Sequence, residues 1–406
     1  MGGSTGRVVV DVVDGPTASV ETGEVRAAPI AAGWEACSGK VSAAASSRPA
    51  HAPSRERAES TNRKSRGRCI GLRVLVAPGV SDTLVTVSRI VVTRRLPEDF
   101  ADLLDGLSPW VWDGDGPMTH TDLTDRLVDA DGVLTMIPDQ IDSDVMGARL
   151  RVISQMAVGT DNIDLAAATA RGIAVGHTPG VLTETTADTA WALLAAAVRR
   201  LPEGSAHVRA GLWGPWDPTL LIGGDLHDAT LGVVGLGRIG AAVARRGSGF
   251  GMRLLYTGPS RKPLLESRLG VAYRSFDQLL DESDHVVITA PLNEDTLHLF
   301  DASALGRMKP GSVLVNVSRG SLIDTDALAA ALEHGPLAAA GLDVVDPEPI
   351  GADHPLVGMA NCLIVPHIGS ASRKTRRAMA EMAVANLVAG LEGRRLPHCA
   401  NPGVYD

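Results

Sequence analysis

The pattern of apolar and polar positions changes near Ser88. From there on, short apolar runs of strand length alternate with segments whose apolar residues recur at helical spacing, and this alternation is typical of a parallel sheet covered by helices. The first series predicts strands at residues 89–93, 110–112, 132–136, 151–155 and 173–175, with helices at 97–107 and 120–129.

A second series of elements follows and is complete in itself. Its predicted strands are 231–234, 252–256, 271–273, 285–290, 312–317, 338–344 and 363–365, with helices such as 241–246 and 324–333 between them. The last amphipathic helix, 373–391, has no surface left to cover there, so we expect it to pack on the first sheet. The predicted fold class is α/β, with two doubly wound, Rossmann-like parallel-sheet domains: a discontinuous one of residues 88–182 and 368–406, and one of residues 183–367.

A long segment rich in Ala and Leu joins the two series, in TPGVLTETTADTAWALLAAAVRRLPEG. Pro179 and Gly180 mark a turn, and Thr183 is expected to cap one long helix. Because residues 189–198 are mostly apolar and Trp213 and Trp216 follow, we expect this region to lie between domains or to form a homodimer interface. Packing within one chain is the alternative.

Composition narrows the class of protein. The 406 residues carry a net charge of −9, and residues 1–88 hold 11 Lys and Arg against 8 Asp and Glu, so the remainder carries about −12. An acidic body argues against nucleic acid as a partner. The four cysteines lie far apart, which suggests neither disulfides nor a metal site. Without a membrane-length apolar run or a secretory signal, we expect a cytoplasmic protein with no membrane partner.

Residues 1–87 are expected to form a disordered extension. They are rich in Ala, Ser, Gly and Pro, lack sustained periodicity and include a basic run at 55–68. The basic run could be a targeting or nucleic-acid tail; a solvated extension, or translated sequence upstream of the true start, are the other interpretations.

The stretch LGVVGLGRIG contains the clearest motif. Gly235, Gly237 and Gly240 follow a buried-strand pattern directly, so that they permit a tight turn, a close approach of pyrophosphate and close packing of the next helix. That helix would present free N–H groups to phosphates. We expect this loop to hold a dinucleotide, although an ordinary strand-to-helix turn would share the glycines.

The end of the next strand suggests which dinucleotide. A site for NAD usually has an acidic residue there, which binds the ribose hydroxyls. Here Ser260, Arg261 and Lys262 follow the strand, no acid appears before Glu266, and Arg238 lies in the glycine loop. These residues predict a preference for NADP(H), with NAD(H) still possible; a plain basic surface turn is the alternative.

Polar residues that suit catalysis follow three successive strands. Arg319, Asp343 and Glu348, and His367 come at or after the carboxyl ends of their strands, the edge at which open α/β sheets bind ligands. His367 suits proton transfer, a neighbouring carboxylate such as Glu348 orients the ring and favours its protonated form, and Arg319 offers a fork of donors for a carboxylate. Singly, each could be structural; together they favour a site that reduces a 2-oxo acid.

One turn of the first series also suggests anion binding. Residues 156–164, MAVGTDNID, follow a strand, and Gly159 allows the backbone to present N–H groups to an anion. A helix start capped by Asp161 is equally compatible with these residues.

VGTDNID, GLGRIG, VNVSRGSLIDTDAL, GLDVVDPEP and PHIGSAS resemble, in order and spacing, the D-isomer-specific 2-hydroxyacid dehydrogenases over about residues 89–402. Within that family the chain is most similar to glyoxylate/hydroxypyruvate reductases, through RIVVTRRLPEDF, LLYTGPSRKP and LVAGLEGRRLP. The resemblance implies the catalytic trio Arg319, Glu348 and His367. It also implies a substrate site of Val158, Gly159, Arg319, Gly369 and Ser370, with Asp343 near the nicotinamide. Together with the glycine loop and the turn after the next strand, the expected cofactor site is Gly235, Gly237, Arg238, Ile239, Gly240, Ser260, Arg261, Lys262, Pro291, Val317 and Asp343.

Other functions remain open. A formate dehydrogenase is set aside, because it carries Gln where Glu348 stands. A short-form 3-phosphoglycerate dehydrogenase remains possible, as does a nucleotide-dependent interaction module like the C-terminal-binding co-repressors. Thr135, Met136 and Ile137 are expected nearest the substrate side chain, and little in them recognises a large or phosphorylated group.

Overall fold

The computed structural model describes residues 88–406, so the predicted disorder of residues 1–87 lies outside the described part. The described strands form two sheets with parallel pairings throughout. The five-stranded sheet has the order β2-β1-β3-β4-β5, with β1 Ile90–Val92, β2 Trp110–Val111, β3 Gly132–Thr135, β4 Val152–Gln155 and β5 Ala174–Gly176.

The seven-stranded sheet has the order β12-β11-β10-β9-β6-β7-β8. Its strands are β6 Thr230–Val234, β7 Arg253–Thr257, β8 Ala272–Tyr273, β9 His285–Ile288, β10 Ser312–Asn316, β11 Leu337–Leu342 and β12 Cys362–Ile364. Every residue of β6 and of β10 is buried, as expected when helices cover both faces of a parallel sheet. The predicted α/β fold with two parallel sheets is confirmed.

The helices cover the faces of these sheets. They are α1 His120–Leu127, α2 Leu165–Ala170, α3 Thr183–Val198, α4 Leu201–Arg209, α5 Arg238–Gly247, α6 Pro263–Leu269, α7 Phe276–Glu282, α8 Ala302–Arg307, α9 Thr325–Glu333, α10 Pro355–Gly358 and α11 Arg373–Leu391. Short 3-10 turns occupy Glu98–Leu104, Ser248–Phe250, Gly320–Leu322 and Pro402–Tyr405. Within residues 88–406, no helix combines the length and apolar character needed to cross a membrane.

The predicted helix at 97–107 was wrong in type. The segment is the 3-10 turn Glu98–Leu104, in which Phe100 is the one buried residue. Leu103, Leu104 and Leu107 pack on the same core but are only partly buried. Gly106 and Ser108 then adopt positive φ values of 78° and 47°, which turn the chain toward β2.

The predicted cap of α3 and the predicted start of α5 also differ from the structure. Leu182, not Thr183, is the N-cap residue of α3, and no side chain caps this helix; the Thr183 amide instead donates to the Gly180 carbonyl at 3.2 Å. Helix α5 begins at Arg238, three residues before the predicted start at 241, because Gly237 already serves as its N-cap.

Helix α11 packs on the five-stranded sheet, as predicted. Ala383 and Leu387 are fully buried with residues of β3 and β4, and the Ser154 hydroxyl of β4 donates to the Ala383 carbonyl at 2.6 Å. At the end of β5, a Cβ on Gly176 would lie 2.6 Å from the Asn386 Cβ. The sheet and α11 therefore fit closely, and residues from both ends of the described chain form the first lobe.

Candidate active site

A cavity of about 1310 Å³ lies between the two lobes, at the carboxyl edges of both sheets. The first lobe contributes the turn after β4, including Val158 and Gly159, and the second lobe contributes Arg319 after β10 and His367 after β12. Chain segments far apart in sequence meet here, at the edge where parallel sheets bind ligands.

His367 and Glu348 form a hydrogen-bonded pair in this cavity. The His367 Nδ1 lies 2.7 Å from the Glu348 Oε1. An ionised carboxylate only accepts hydrogen bonds, so this contact favours the tautomer with the proton on Nδ1 and leaves Nε2 for a ligand. His367 adopts a φ of 51°, and its amide donates to the Asp343 carbonyl at 2.9 Å. The fold thus holds a non-glycine residue in the left-handed region at the point where chemistry is expected.

Asp343 holds the turn that carries His367. Its carboxylate is buried and accepts hydrogen bonds from the amides of Ile368, at 2.7 Å, and Gly369, at 2.8 Å. A Cβ on Gly369 would approach the Asp343 Oδ2 to 2.6 Å, so glycine permits this contact. Burial raises the pKa of Asp343 above its ordinary value, and these amide hydrogen bonds only partly oppose the shift.

Arg319 binds Asp161 across the cleft. Arg319 donates from Nε to both Asp161 carboxylate oxygens, at 3.1 and 3.0 Å, and from Nη2 to Oδ1 at 2.9 Å; Nη1 donates to the Ser318 carbonyl at 2.8 Å. Since Nη1 and Nη2 each carry two N–H groups, one remains on each nitrogen, and together they can form a fork for a second carboxylate.

Asp161 does not cap a helix, so the alternative interpretation of this turn is wrong. Asp164 caps α2, by accepting from the Ala167 amide at 2.8 Å. Burial alone would raise the pKa of Asp161, but the hydrogen bonds and charge of Arg319 outweigh it, so the pKa lies below its ordinary value. Gly159 makes room for this pair, since a Cβ there would lie 1.8 Å from the Arg319 Nη2.

The glycine loop has the shape that a dinucleotide requires. Gly235 has a φ of 93°, and its Cβ would lie 2.7 Å from backbone atoms of Ala290; a Cβ on Gly240 would lie 2.3 Å from the Gly235 carbonyl oxygen. A Cβ on Gly237, by contrast, would face open space. Within the described residues, the amides of Arg238 and Ile239 have no hydrogen-bond partner. The residues present therefore fit a pyrophosphate at the N-terminus of α5.

Comparison with known proteins identifies the family. The profile described as "D-isomer specific 2-hydroxyacid dehydrogenase, NAD binding domain" matches residues 191–369. The chain is 46% identical over 320 residues to the glyoxylate reductase of Korarchaeum cryptofilum, covering 78% of this chain and 96% of that protein. The chain belongs to the D-isomer-specific 2-hydroxyacid dehydrogenase family. It is therefore an NAD(P)-dependent oxidoreductase, similar to the glyoxylate reductases.

Solved structures agree with this assignment. The TT0316 protein from Thermus thermophilus is 47% identical, with a TM-score of 0.72, over 77% of this chain and 99% of that one. An NADPH-dependent glyoxylate/hydroxypyruvate reductase from Sinorhizobium meliloti is 31% identical, with a TM-score of 0.67, over 78% of this chain and 99% of that one. The likeness covers both lobes of the dehydrogenase.

The structure brings most of the residues predicted for the dehydrogenase site to the cavity. Its lining includes Val158, Gly159, Gly237, Arg238, Ile239, Pro291, Val317, Arg319, Asp343, Glu348, His367, Gly369 and Ser370. Gly235 and Gly240 lie behind this surface and shape the loop. Ser260, Arg261 and Lys262 are exposed after β7 and do not line the cavity. Thr135 also lies off the cavity, because its buried hydroxyl donates to Asp139 at 2.8 Å.

The turn after β7 of the dehydrogenase contains an ion pair that the sequence did not predict. Arg261 contacts the Glu266 carboxylate at 2.5 Å from Nη2 and 3.1 Å from Nε. The hydrogen bonds from Arg261 and from the Tyr256 hydroxyl lower the pKa of Glu266 to about 2. A phosphate bound here would share Arg261 with an ionised carboxylate, whereas the ammonium of Lys262 has no ion pair within residues 88–406.

Sequence reasoning gave no role in the site to several charged or titratable residues that line the cavity, among them Arg94, Asp161, His177 and Arg376. His177 contacts the Val158 carbonyl through Nδ1 at 3.0 Å, beside the predicted carboxylate site. The sequence does contain a signal for Arg376, since it lies in register with Ala380, Ala383 and Leu387, the buried stripe of α11. A charged residue in a buried stripe often serves a site.

Proposed function

We propose that this dehydrogenase reduces a small 2-oxo acid, glyoxylate or hydroxypyruvate, to the D-2-hydroxy acid, with NADPH as the preferred hydride donor. The observation that carries the proposal is the His367–Glu348 pair, which shares one cavity with the forked donors of Arg319 and with the glycine loop. The names of the similar proteins support the substrate class.

The predicted catalytic residues have distinct tasks in this proposal. The remaining Nη1 and Nη2 protons of Arg319 bind the substrate carboxylate, together with the amides of Val158 and Gly159, which have no hydrogen-bond partner within residues 88–406. His367 donates a proton from Nε2 to the carbonyl oxygen as it becomes an alkoxide. Glu348 orients the ring through Nδ1 and stabilises its charged form. The bound nicotinamide supplies the hydride.

The preference for NADPH rests on the turn after β7. No carboxylate follows Thr257 directly, Lys262 lies exposed, and Arg238 lines the cavity. A 2′-phosphate would meet positive charge here, without the repulsion that an acid at Thr257 would cause. Thr257→Asp combined with Arg261→Ala should move the ratio of kcat/KM for NADPH over NADH toward NADH. An unchanged ratio would contradict the preference.

We further propose a homodimer formed through the region that follows α3. Leu212, Trp213, Trp216 and Ile222 are exposed by 62%, 75%, 86% and 69%. Large apolar side chains so close in sequence are typical of an interface. Light scattering at micromolar concentration should give the mass of two chains, and Trp213→Ser with Trp216→Ser should give the mass of one. A monomeric parent protein would contradict the proposal.

The proposed domain division assigns residues 88–182 and 368–406 to substrate and 183–367 to the cofactor. Packing of α3 on the seven-stranded sheet supports a boundary near 183: the Trp191 indole, 8% exposed, donates to the Val243 carbonyl at 3.0 Å.

Cytoplasmic localisation remains a prediction from the sequence.

The test of the function is NADPH oxidation with a panel of glyoxylate, hydroxypyruvate, pyruvate and 3-phosphohydroxypyruvate. We expect rapid turnover with glyoxylate or hydroxypyruvate. Tight cofactor binding without turnover would instead support the nucleotide-dependent interaction module, and turnover confined to the phosphorylated substrate would support a 3-phosphoglycerate dehydrogenase.

A further inference from the structure

Arg376 differs from the arginines beside it on α11. Arg373 pairs with Asp99, and Arg377 pairs with Asp102, at 2.7 Å, and with Glu381. Arg376 instead lines the cavity, and its guanidinium makes no ion pair and no side-chain hydrogen bond with any residue of 88–406. One arginine of this helix is therefore available to a ligand, while two stabilise the surface.

The environment of Arg376 does not compensate its charge. The residue is half-buried, and burial lowers the pKa of its guanidinium despite the opposing charge of Asp343. Both Asp343 carboxylate oxygens already accept hydrogen bonds, from the amides of Ile368 and Gly369. A partly desolvated cation without a partner is unfavourable, and an anion that entered the cavity would relieve this cost.

A second guanidinium lines the same cavity from the five-stranded sheet. Arg94 follows β1, and its side chain donates to the Asp115 carbonyl at 3.5 Å. The Thr93 amide donates to the Leu134 carbonyl of β3 at 3.0 Å, which places Arg94 beside the loop of Met136. The side of the cavity formed by the first lobe and α11 thus carries two guanidinium groups besides Arg319, while its carboxylates, Asp161 and Asp164, already bind Arg319 and the Ala167 amide.

We propose that Arg376 determines specificity by binding a second oxyanion, attached to C3 of the 2-oxo acid. This inference rests on the proposed function, in which Arg319 and the Val158 and Gly159 amides bind the first carboxylate. Glyoxylate has no C3 and therefore carries no second oxyanion that Arg376 could bind. The substrate class that uses Arg376 is a 2-oxo acid with a carboxylate or a phosphate at that end.

The test compares the parent enzyme with Arg376→Met and with the control Arg373→Met, which changes a surface arginine of the same helix. For each enzyme, kcat/KM is measured with glyoxylate, hydroxypyruvate, oxaloacetate and 3-phosphohydroxypyruvate. We expect Arg376→Met to lower kcat/KM for the doubly anionic substrates, relative to glyoxylate, by about 10- to 100-fold, the usual effect of losing a charge-assisted hydrogen bond. The substrate with the larger loss identifies carboxylate or phosphate as the group that Arg376 binds.

Other outcomes would overturn the inference. An equal loss for all four substrates, or a raised KM for the cofactor with unchanged substrate ratios, would assign Arg376 to the support of Asp343. An equal effect of Arg373→Met would assign it to helix stability. If Arg376→Met does not fold, inhibition of the parent enzyme decides: succinate, whose carboxylates are separated by two carbons as in oxaloacetate, should inhibit at least about tenfold more tightly than propionate, and equal inhibition would contradict the proposal. Failure of the parent to reduce glyoxylate would instead contradict the proposed function.

Discussion

The two sheets contribute to the cavity in different ways. The seven-stranded sheet presents ionisable side chains, Arg319 and His367, at the ends of its strands. The five-stranded sheet presents the backbone turn of Val158 and Gly159, Asp161, which binds Arg319 across the cleft, and the side chains of Arg94 and His177. The difference teaches that the second lobe would supply the reacting groups, while the first positions them and receives the substrate.

The largest expected effect is on the reacting group. His367→Ala should lower kcat by about 100- to 10,000-fold, the range typical of general acid catalysis, with little change in cofactor affinity. His177→Ala is the matched change in the first lobe, since the one hydrogen bond of the His177 ring within residues 88–406 is with the Val158 carbonyl. It should raise KM for the 2-oxo acid more than it lowers kcat. Similar effects of the two variants on kcat would contradict the assignment of the reacting groups to the second lobe and of substrate positioning to the first.

A second comparison concerns stability. Leu387 is fully buried between α11 and the five-stranded sheet, and Leu387→Ala should lower the free energy of unfolding by about 2–5 kcal/mol. Leu264, 88% exposed in the second lobe, is the control, and Leu264→Ala should change the free energy of unfolding by less than about 0.5 kcal/mol. Denaturant unfolding measures both. A loss at Leu387 no larger than at Leu264 would show that α11 contributes little to the first lobe.

The contact across the cleft gives a smaller effect. Asp161→Asn keeps the shape of the side chain but removes the charge that holds Arg319, so kcat/KM for the 2-oxo acid should fall by about tenfold. Because the pKa of Asp161 is lowered in the folded protein, its contribution to stability is present above about pH 4 and is lost as the pH falls through the folded pKa. Unfolding curves of the parent and Asp161→Asn should therefore converge at low pH. A constant difference would mean that the carboxylate charge is not responsible.

The fold could be predicted from the sequence because its signals are local. Short apolar runs predict the strands. Because a parallel sheet places the carboxyl ends of its strands at one edge, Arg319, Asp343 and His367 could be assigned to one site from the sequence alone. The need for glycine at Gly235 and Gly240 could also be predicted, because it arises from contacts within a few residues or with an adjacent strand.

The remaining site residues depend on contacts between distant segments. Asp161 and Arg319 are 158 residues apart and belong to different lobes, so no local pattern could show that the aspartate binds an arginine instead of capping a helix. Arg376 was missed because its neighbours Arg373 and Arg377 have the same residue type, and only their contacts with Asp99 and Asp102 distinguish them from it. The partner of Arg261, Glu266, was visible in the sequence, but their ion pair depends on where α6 begins.

The pH profile of reduction by Glu348→Gln tests the central claim most directly. Glutamine can keep the hydrogen bond to the His367 Nδ1 but removes the charge that favours the protonated ring. The protonated form of His367 should then be lost at a lower pH than in the parent enzyme, so the alkaline limb of kcat should move to lower pH. At acidic pH, kcat of Glu348→Gln should fall less below the parent value than it does at alkaline pH. An alkaline limb at the same pH as in the parent enzyme would contradict the account, because it would show that Glu348 does not control the proton that His367 donates.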